Sequence, residues 1–525
     1  MDVDDADAKI LPRNVVEYGL RRTLVTFAVI LATLLEIVDT TIVNVALPTI
    51  QGNVGANIEE GSLIVTGYIV ANVVVIPLTP WLSERFGRRR YFFASILIFT
   101  IASMLCGLSH SLWELVFWRI IQGAGGGGLI STSQAILRDT YPPDKQGQGS
   151  GIFALGAIVG PTIGPTLGGI ITDNFSWQWV FYLNVPLGIL AMFLVARFLR
   201  NPVDPHPKRV DGVGIALLAT GLGALQYVLD QGQQYDWFDD PLITGLALLA
   251  GLCLLFFLSW EMFFAQRPIV DLTVLRYRSV AAGSTLGLVL GVTLTASLVT
   301  LPQFAQGILG FTATLSGEMI FMRAAAVMLC TPLSVALATR PNVDIRLLIG
   351  FGFLCTGLSN IVQAQVTTST ANFMSFALPM ILGGIGLAFT FVPLSLAVFA
   401  GVTQRDIPGA SAFFNLARQL GGSVGTAVLV TLISRGIAIH HSNLAREIRL
   451  GRTPIAAYAQ TRTRNATTNQ LNQTVNIQAT TLAYADASRL TGASTLLVLP
   501  LVFLLKKRQS APEAGGEAKI DVELG

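Results

Sequence analysis

About fourteen apolar stretches, each long enough to cross the roughly 30 Å hydrocarbon core of a bilayer, recur along this 525-residue chain. They lie near 24–46, 62–82, 92–109, 113–135, 150–172, 180–199, 211–230, 242–261, 279–301, 316–338, 346–364, 373–397, 409–433 and 489–505. Where no water reaches, the backbone must satisfy its own polar groups, and separate crossings do that as helices. Hydrophobic residues make up 52% of the chain and charged ones only 12%. The expectation is an all-α polytopic membrane protein, not a soluble enzyme. The first apolar run, Thr23 to Leu47, is too long for a signal peptide and lacks a small-residue cleavage site after it.

Arginine and lysine orient the chain. Alternate loops carry Arg85, Arg88, Arg89 and Arg90, then Arg138 and Lys145, then Arg200, Lys208 and Arg209. Later come Arg267, Arg276 and Arg278, then Arg340 and Arg346, then Arg405, then Lys506, Lys507 and Arg508. The short loops between, near 51–61, 110–112, 173–179, 231–241, 302–315 and 365–372, have none. The positive-inside rule makes the first set cytoplasmic, with both termini inside. An odd number of crossings would break the alternation, so it supports fourteen independently.

The net charge of +3 says nothing of nucleic acid, because the basic residues sit in these loops. Cys106, Cys253, Cys330 and Cys355 all fall in apolar runs, which argues against a disulfide framework. Metal-ligand spacing is absent, and no cofactor is implied. Gly123 to Gly128 fits G-x-G-x-x-G but follows an apolar helix, not a strand, so nucleotide binding is rejected. No G-x-x-x-x-G-K-[ST] occurs, which argues against an ATP-driven pump.

Charged residues inside apolar stretches are costly and mark function. The first stretch holds Glu36, Asp39, Thr40 and Asn44; at 100° per residue Thr33, Glu36, Asp39, Thr40 and Val43 share a face. A carboxylate at bilayer depth is costly to keep ionised, which suits it to loading and releasing a proton; a fixed pair with a neighbouring arginine is the other reading. In the fourth stretch Arg119, with Gln122 one turn on, needs an acceptor, and Asp39 or Glu36 is the candidate. Glu318 and Arg323 in the tenth stretch are five residues apart and need not face each other. Arg323 suits a cavity or a packing role, and Glu318, near the outer end, a cavity or an interfacial one. Arg418 lies in the thirteenth stretch.

The fifth stretch is uncharged. Gly156, Gly160, Gly164 and Gly168 recur every four residues, so a neighbouring helix can approach to backbone contact. Pro161 and Pro165 leave the carbonyls of Ala157 and Pro161 without their helical partner, which predicts a fixed bend. The spacing of Gly151, Gly160, Gly164-Pro165 and Gly168-Gly169 resembles the antiporter motif of drug/proton exporters in the major facilitator superfamily. That resemblance implies a tight, bent helix that helps seal a central cavity.

Other motifs agree. Glu84-Arg85-Phe86-Gly87-Arg88-Arg89 resembles the superfamily's cytoplasmic loop signature, with Glu84 for its Asp and Pro80 for its leading Gly. The run from Asp39 to Pro48 resembles the first-helix signature of fourteen-span exporters, to which Glu36 does not belong. The surroundings of Arg119 resemble a motif in which such an arginine works with proton transfer. Trp177-Gln178-Trp179 to Asn184 and Pro186 resembles another signature of that family, with Gln178 for Arg. Arg418 to Gly425 resembles its second-half signature.

The chain is thus similar to EmrB-like drug/proton antiporters. This implies a major facilitator fold: a tail 1–20, a six-helix half 21–200, two linker transmembrane helices in 201–270, and a second six-helix half 271–508. A long outer loop 434–488 and a cytoplasmic tail 509–525 complete it. The loop can extend the thirteenth helix and return to the fourteenth, and it can face a periplasmic adaptor protein or serve as a solvated spacer. The resemblance implies efflux of amphiphilic compounds against protons, in contact with lipid, in the bacterial inner membrane. The sequence leaves open a carrier of a defined metabolite, lipid or siderophore, or a non-transporting scaffold. No nucleophile–base set for a membrane enzyme is present.

Overall fold

Each apolar stretch becomes a helix because only that form leaves no backbone group unsatisfied in oil. The structure, a computed structural model, describes residues 16–56, 58–142, 145–200, 211–265, 270, 272–340, 342–403, 406–449 and 464–505. The expectations for residues before 16 and after 505, and for 201–210, lie outside them. The described residues form helices and no strands. Eleven of these helical segments are long and apolar enough to cross a membrane.

In chain order the first helices are α1 (Gly19–Val54), α2 (Ile58–Val75), α3 (Thr79–Phe86), α4 (Arg88–Leu108), α5 (Leu112–Gly126) and α6 (Leu129–Thr140). Then come α7 (Gln146–Asn174), a single turn α8 (Trp179–Tyr182), α9 (Asn184–Phe198), α10 (Gly212–Gln231) and α11 (Pro241–Phe263). The rest are α12 (Arg278–Gly307), α13 (Ala313–Thr339), α14 (Ile345–Val366), α15 (Ala377–Val398), α16 (Ile407–Arg449) and α17 (Arg464–Leu497).

In the first part of the chain α1 packs on α7 and α9, and α5 on α2 and α4. In the last part α12 packs on α16, and α15 on α13 and α14. Helix α10 bridges them: Gln226 Nε2 donates to Ser423 Oγ at 2.8 Å, and Gln231 Nε2 to Thr66 Oγ1 at 2.8 Å. Just after α10, Trp237 Nε1 donates to Thr431 Oγ1 at 2.9 Å.

The glycine ladder lies against α1. Helix α7 runs unbroken past both proline positions and lays its small face on α1. A Cβ at Gly160 would lie 2.7 Å from Ile37 Cγ2, and one at Gly168 would lie 3.0 Å from the Ile42 carbonyl oxygen. Gly169 is also buried. Gly151 faces elsewhere, onto Val335 of α13.

One sequence expectation needs correction. The stretch expected as one helix over 113–135 breaks at Gly127-Gly128. There a Cβ at Gly127 would come within 3.2 Å of Asn72 Cα, and one at Gly128 would strike the Tyr91 hydroxyl. The stretch 434–488, read as an outer loop that can extend the thirteenth helix and return to the fourteenth, is helical over 434–449 and 464–488. Helix α16, at 43 residues, is about 64 Å long at about 1.5 Å per residue, twice the roughly 30 Å apolar thickness. Its far end pairs with α17 through His440 and Asp486 at 2.9 Å and through a cluster of Leu429, Ile433, Ala483 and Ala487.

Hydrogen bonds that join residues 16–200 to 272–505 gather at the end rich in arginine. Gln134 Oε1 accepts from Ser411 Oγ at 3.0 Å and from Asn415 Nδ2 at 2.9 Å, all three residues buried. Arg138 Nη2 donates to the Phe399 carbonyl at 2.9 Å, and Phe153 stacks on Phe391 at 6.4 Å. Gln134→Ala removes the shared acceptor of two buried bonds. At about 1 kcal/mol each, the loss shifts an open–closed balance at this end by about thirtyfold. A disulfide cross-link between cysteines placed at Gly147 and Thr339, which touch here, reads the shift: its yield should fall in the Gln134→Ala background.

Candidate functional site

Three elements aim polar groups at one carboxylate. Asp39 sits midway along α1 with 0% of its surface exposed. Helix α5 presents Arg119 and Gln122 one turn apart, and α9 begins with Asn184. Arg119 Nη1 donates to Asp39 Oδ2 at 2.5 Å. Gln122 Nε2 and Asn184 Nδ2 donate to Asp39 Oδ1 at 2.8 and 2.9 Å. Both carboxylate oxygens are therefore engaged by donors.

Arg119 is itself 1% exposed. It also donates through Nη1 to Gln122 Oε1 at 2.8 Å and through Nε to the Ile64 carbonyl at 3.2 Å. Its guanidinium lies over the Tyr68 ring at 4.2 Å, a cation–π contact. Asn184 is held by Ser103 Oγ at 3.0 Å, and Ser103 Oγ in turn donates to the Phe181 carbonyl at 2.9 Å. Cutting one partner of such a pair strands a buried charge, at about 3–5 kcal/mol.

Glu36 shares α1 but not this network. Asn72 Nδ2 donates to its Oε1 at 2.9 Å, and the Ile130 backbone N–H to its Oε2 at 3.1 Å. Ile130 lies in the first turn of α6, whose N–H groups are bare because the Gly127-Gly128 break has just ended α5. The carboxylate thus sits where a helix N-terminus favours negative charge. Arg418, from α16, acts on it electrostatically from the other part of the chain. So of the two candidate acceptors for Arg119, Asp39 is the one bonded to it, and Glu36 has separate donors.

The remaining candidates disperse. Asn44 and Glu318 are exposed and join neither network. Arg323 is buried within the last part of the chain, between α13, α14 and α15. In the loop motif Arg88 pairs with Asp139, Arg89 donates to the Ala196 carbonyl, and Arg85 lies over the Trp81 ring at 5.6 Å. Glu84 at the end of α3 is exposed. Gly87, between α3 and α4, takes φ 83°, a left-handed value that suits glycine alone.

Sequence reasoning missed Ser103, Asn72 and Tyr68 as parts of the two networks. The signal was there: each is a polar group in an otherwise apolar stretch. Asn184 stood inside a motif, but its bond to Asp39 is a contact 145 residues apart that no local pattern encodes.

Comparison with known proteins bears on the whole chain. The Major Facilitator Superfamily signature matches residues 29–426. The multidrug export protein EmrB of Escherichia coli (strain K12) is 32% identical over 95% of this chain and 98% of its own. The fatty acid resistance protein FarB of Neisseria gonorrhoeae is 33% identical over 84% of this chain and 85% of its own. Among solved structures, the human organic anion transporter MFSD10 (TETRAN) is similar with a TM-score of 0.59 at 15% identity, over 92% of this chain and 100% of that one, which speaks to the fold alone. This chain is an integral membrane protein and belongs to the Major Facilitator Superfamily, in the family of the multidrug export protein EmrB.

Proposed function

We propose that this chain is a proton-coupled exporter of amphiphilic drugs that works by alternating access. The observation that carries the reading is the Asp39–Arg119 pair, sealed inside the membrane-spanning part with three donors on one carboxylate. Asp39 is the proton carrier. In this state Arg119 occupies the place a proton would take, and neutralising Asp39 in the other state leaves the arginine on Gln122 and Tyr68, which it already touches. Glu36 is the second proton-responsive group, placed where its charge reaches Arg418 across the two halves. About 150 mV drives one proton inward with roughly 3.5 kcal/mol, which sustains a drug gradient of several hundredfold at about 1.4 kcal/mol per decade.

The architecture in this reading has fourteen crossings. The eleven segments long and apolar enough are joined by the shorter apolar helix at 278–294, by α5 with α6, and by α7. Two six-helix halves, 21–200 and 271–508, are joined by α10 and α11. The arginine-rich end is cytoplasmic, so the contacts at Gln134, Arg138 and Phe153 close the cytoplasmic gate and the captured state faces outward. The glycine face of α7 holds α1 and its carboxylates against slippage as the halves rock. The membrane is the bacterial inner membrane, and the projecting pair α16–α17 is the surface for a periplasmic adaptor protein.

Drug efflux in inverted vesicles tests the reading. The wild type should accumulate an amphiphilic dye only while a proton gradient is imposed and lose it when an ionophore collapses that gradient. Accumulation that survives the collapse would refute proton coupling.

A further inference from the structure

Near its start α6 carries four polar residues in a row, Ser131-Thr132-Ser133-Gln134, and all four are buried. Buried hydroxyls are normally bonded, and Ser133 Oγ donates to the Val29 carbonyl at 3.4 Å. Ser131 is 2% exposed, yet its Oγ has no hydrogen-bond partner among the described residues. A bare buried hydroxyl is costly, and its two neighbours give that cost a use.

On one side is Glu36. Its Oε2 accepts from the N–H of Ile130, the residue before Ser131, and its Oε1 from Asn72 of α2. Arg418 of α16, Asp39 of the same helix, Tyr68 of α2 and Tyr91 of α4 also interact with that carboxylate electrostatically. On the other side is the closed contact with the last part of the chain. The Ser131 carbonyl accepts from Ser411 Oγ at 3.1 Å. Gln134, about 5 Å further along α6, accepts from Ser411 and Asn415. At about 100° per residue, Ile130, Ser131, Gln134 and Arg138 fall in one sector of α6, and Thr132 lies outside it. That sector leads from Glu36 to the arginine-rich end, with Arg138 about 10 Å beyond Ser131. Asp39 is off this line. It lies three residues on along α1, about 4.5 Å further from that end, with both oxygens taken. A hydroxyl kept bare beside a carboxylate, behind a contact that parts when the halves rock, is placed to bond the first water admitted.

We propose that Ser131 and Gln134 line the route by which a proton leaves Glu36 for the arginine-rich side when Ser411 and Asn415 withdraw. This rests on the reading of the chain as a proton-coupled exporter and assigns the inner end of the proton's path. Glu36 gives its proton to a water admitted beside it. That water passes a proton to the Ser131 hydroxyl, which releases its own to the next water toward the bulk. Only O–H bonds are made and broken, and water is the only co-reactant. The carboxylate left behind keeps its bonds from Asn72 and Ile130.

Threonine and valine differ at nearly equal bulk by one hydroxyl, so the pair isolates that group at position 131. Full-length protein in vesicles is given an amphiphilic substrate gradient, proton flow is read with a pH-sensitive dye, and equilibrium binding of the same substrate is read in parallel. Ser131→Thr should move protons at close to the wild-type rate. Ser131→Val should be slower than Ser131→Thr by about a hundredfold, the low end of what a positioned proton-transfer group contributes, with substrate binding alike in all three. Thr132→Val, on the other side of α6, should match wild type. Equal rates for Ser131→Thr and Ser131→Val, fast or slow, overturn the proposal, and so does a like loss in Thr132→Val. Wild-type vesicles in which substrate moves no protons would instead refute proton coupling itself, and the route with it. If Ser131→Val does not reach the membrane, Ser131→Cys carries the test. A charged thiol reagent supplied on the arginine-rich side should modify it above the background of the chain's own four cysteines, and Thr132→Cys should stay at background. Modification of both, or of neither, overturns the proposal.

Discussion

Asp39→Asn is expected to abolish gradient-driven export and to lower the melting temperature of the purified protein. The second effect follows from what the substitution leaves behind. Asparagine keeps an acceptor for Gln122 and Asn184 but turns an N–H toward Arg119 Nη1, which now lies 2.5 Å from a carboxylate oxygen. A buried guanidinium without its anion costs about 3–5 kcal/mol. The double variant Asp39→Asn/Arg119→Gln removes both charges, and the glutamine can accept the new amide bond. It should therefore recover most of the lost stability and none of the coupled transport. A thermal melt in detergent beside a vesicle assay separates the two quantities. Recovery of transport together with stability would mean that the pair is a structural clamp and not the proton site.

Gly164→Val is expected to be nearly as damaging, for a different reason. A Cβ at this position overlaps the Thr41 hydroxyl and comes within 2.9 Å of Thr41 Cβ and 3.4 Å of the Ile42 backbone nitrogen. Valine adds two methyl groups beyond that point. Helix α7 must then back away from α1 beside Asp39, and overpacking of this kind costs about 1–3 kcal/mol in stability. Transport should fall by about tenfold or more, since a displacement of about 1 Å in a positioned group costs on that scale. Gly52→Ala is the control, because a Cβ there meets nothing within 4 Å. Transport by Gly164→Val at the wild-type rate would show that the close contact of α7 with α1 is not needed for the cycle.

The two substitutions show how far the sequence could be read. Charges and small residues stand out against an apolar background, so Asp39, Arg119 and the glycine ladder were all visible as one-dimensional patterns. The ladder's partner helix was not, because a four-residue repeat says that something packs closely and not what. Glu36 and Asp39 lie three residues apart and share a helical face, which made either one a fit partner for Arg119. The choice is made by tertiary placement: Asp39 meets α5 and α9, while Glu36 meets α2 and the start of α6. The break at Gly127-Gly128 that bares the Ile130 N–H was hidden because glycine is common in membrane helices and a run of them reads equally as a packing face. The helical hairpin of α16 and α17 was legible only as an extension of one span and a return to the next, because its polar composition, rich in Thr, Gln and Asn, is also that of a loop, and pairing of the two helices supports the helical form.

The most direct measurement is of protons. Full-length protein is reconstituted in vesicles holding a pH-sensitive dye, with no gradient imposed, and an amphiphilic substrate gradient is applied across the membrane. Substrate flow should drive proton flow the opposite way in the wild type, and Asp39→Asn should move no protons. Proton movement of wild-type size in Asp39→Asn would contradict the account.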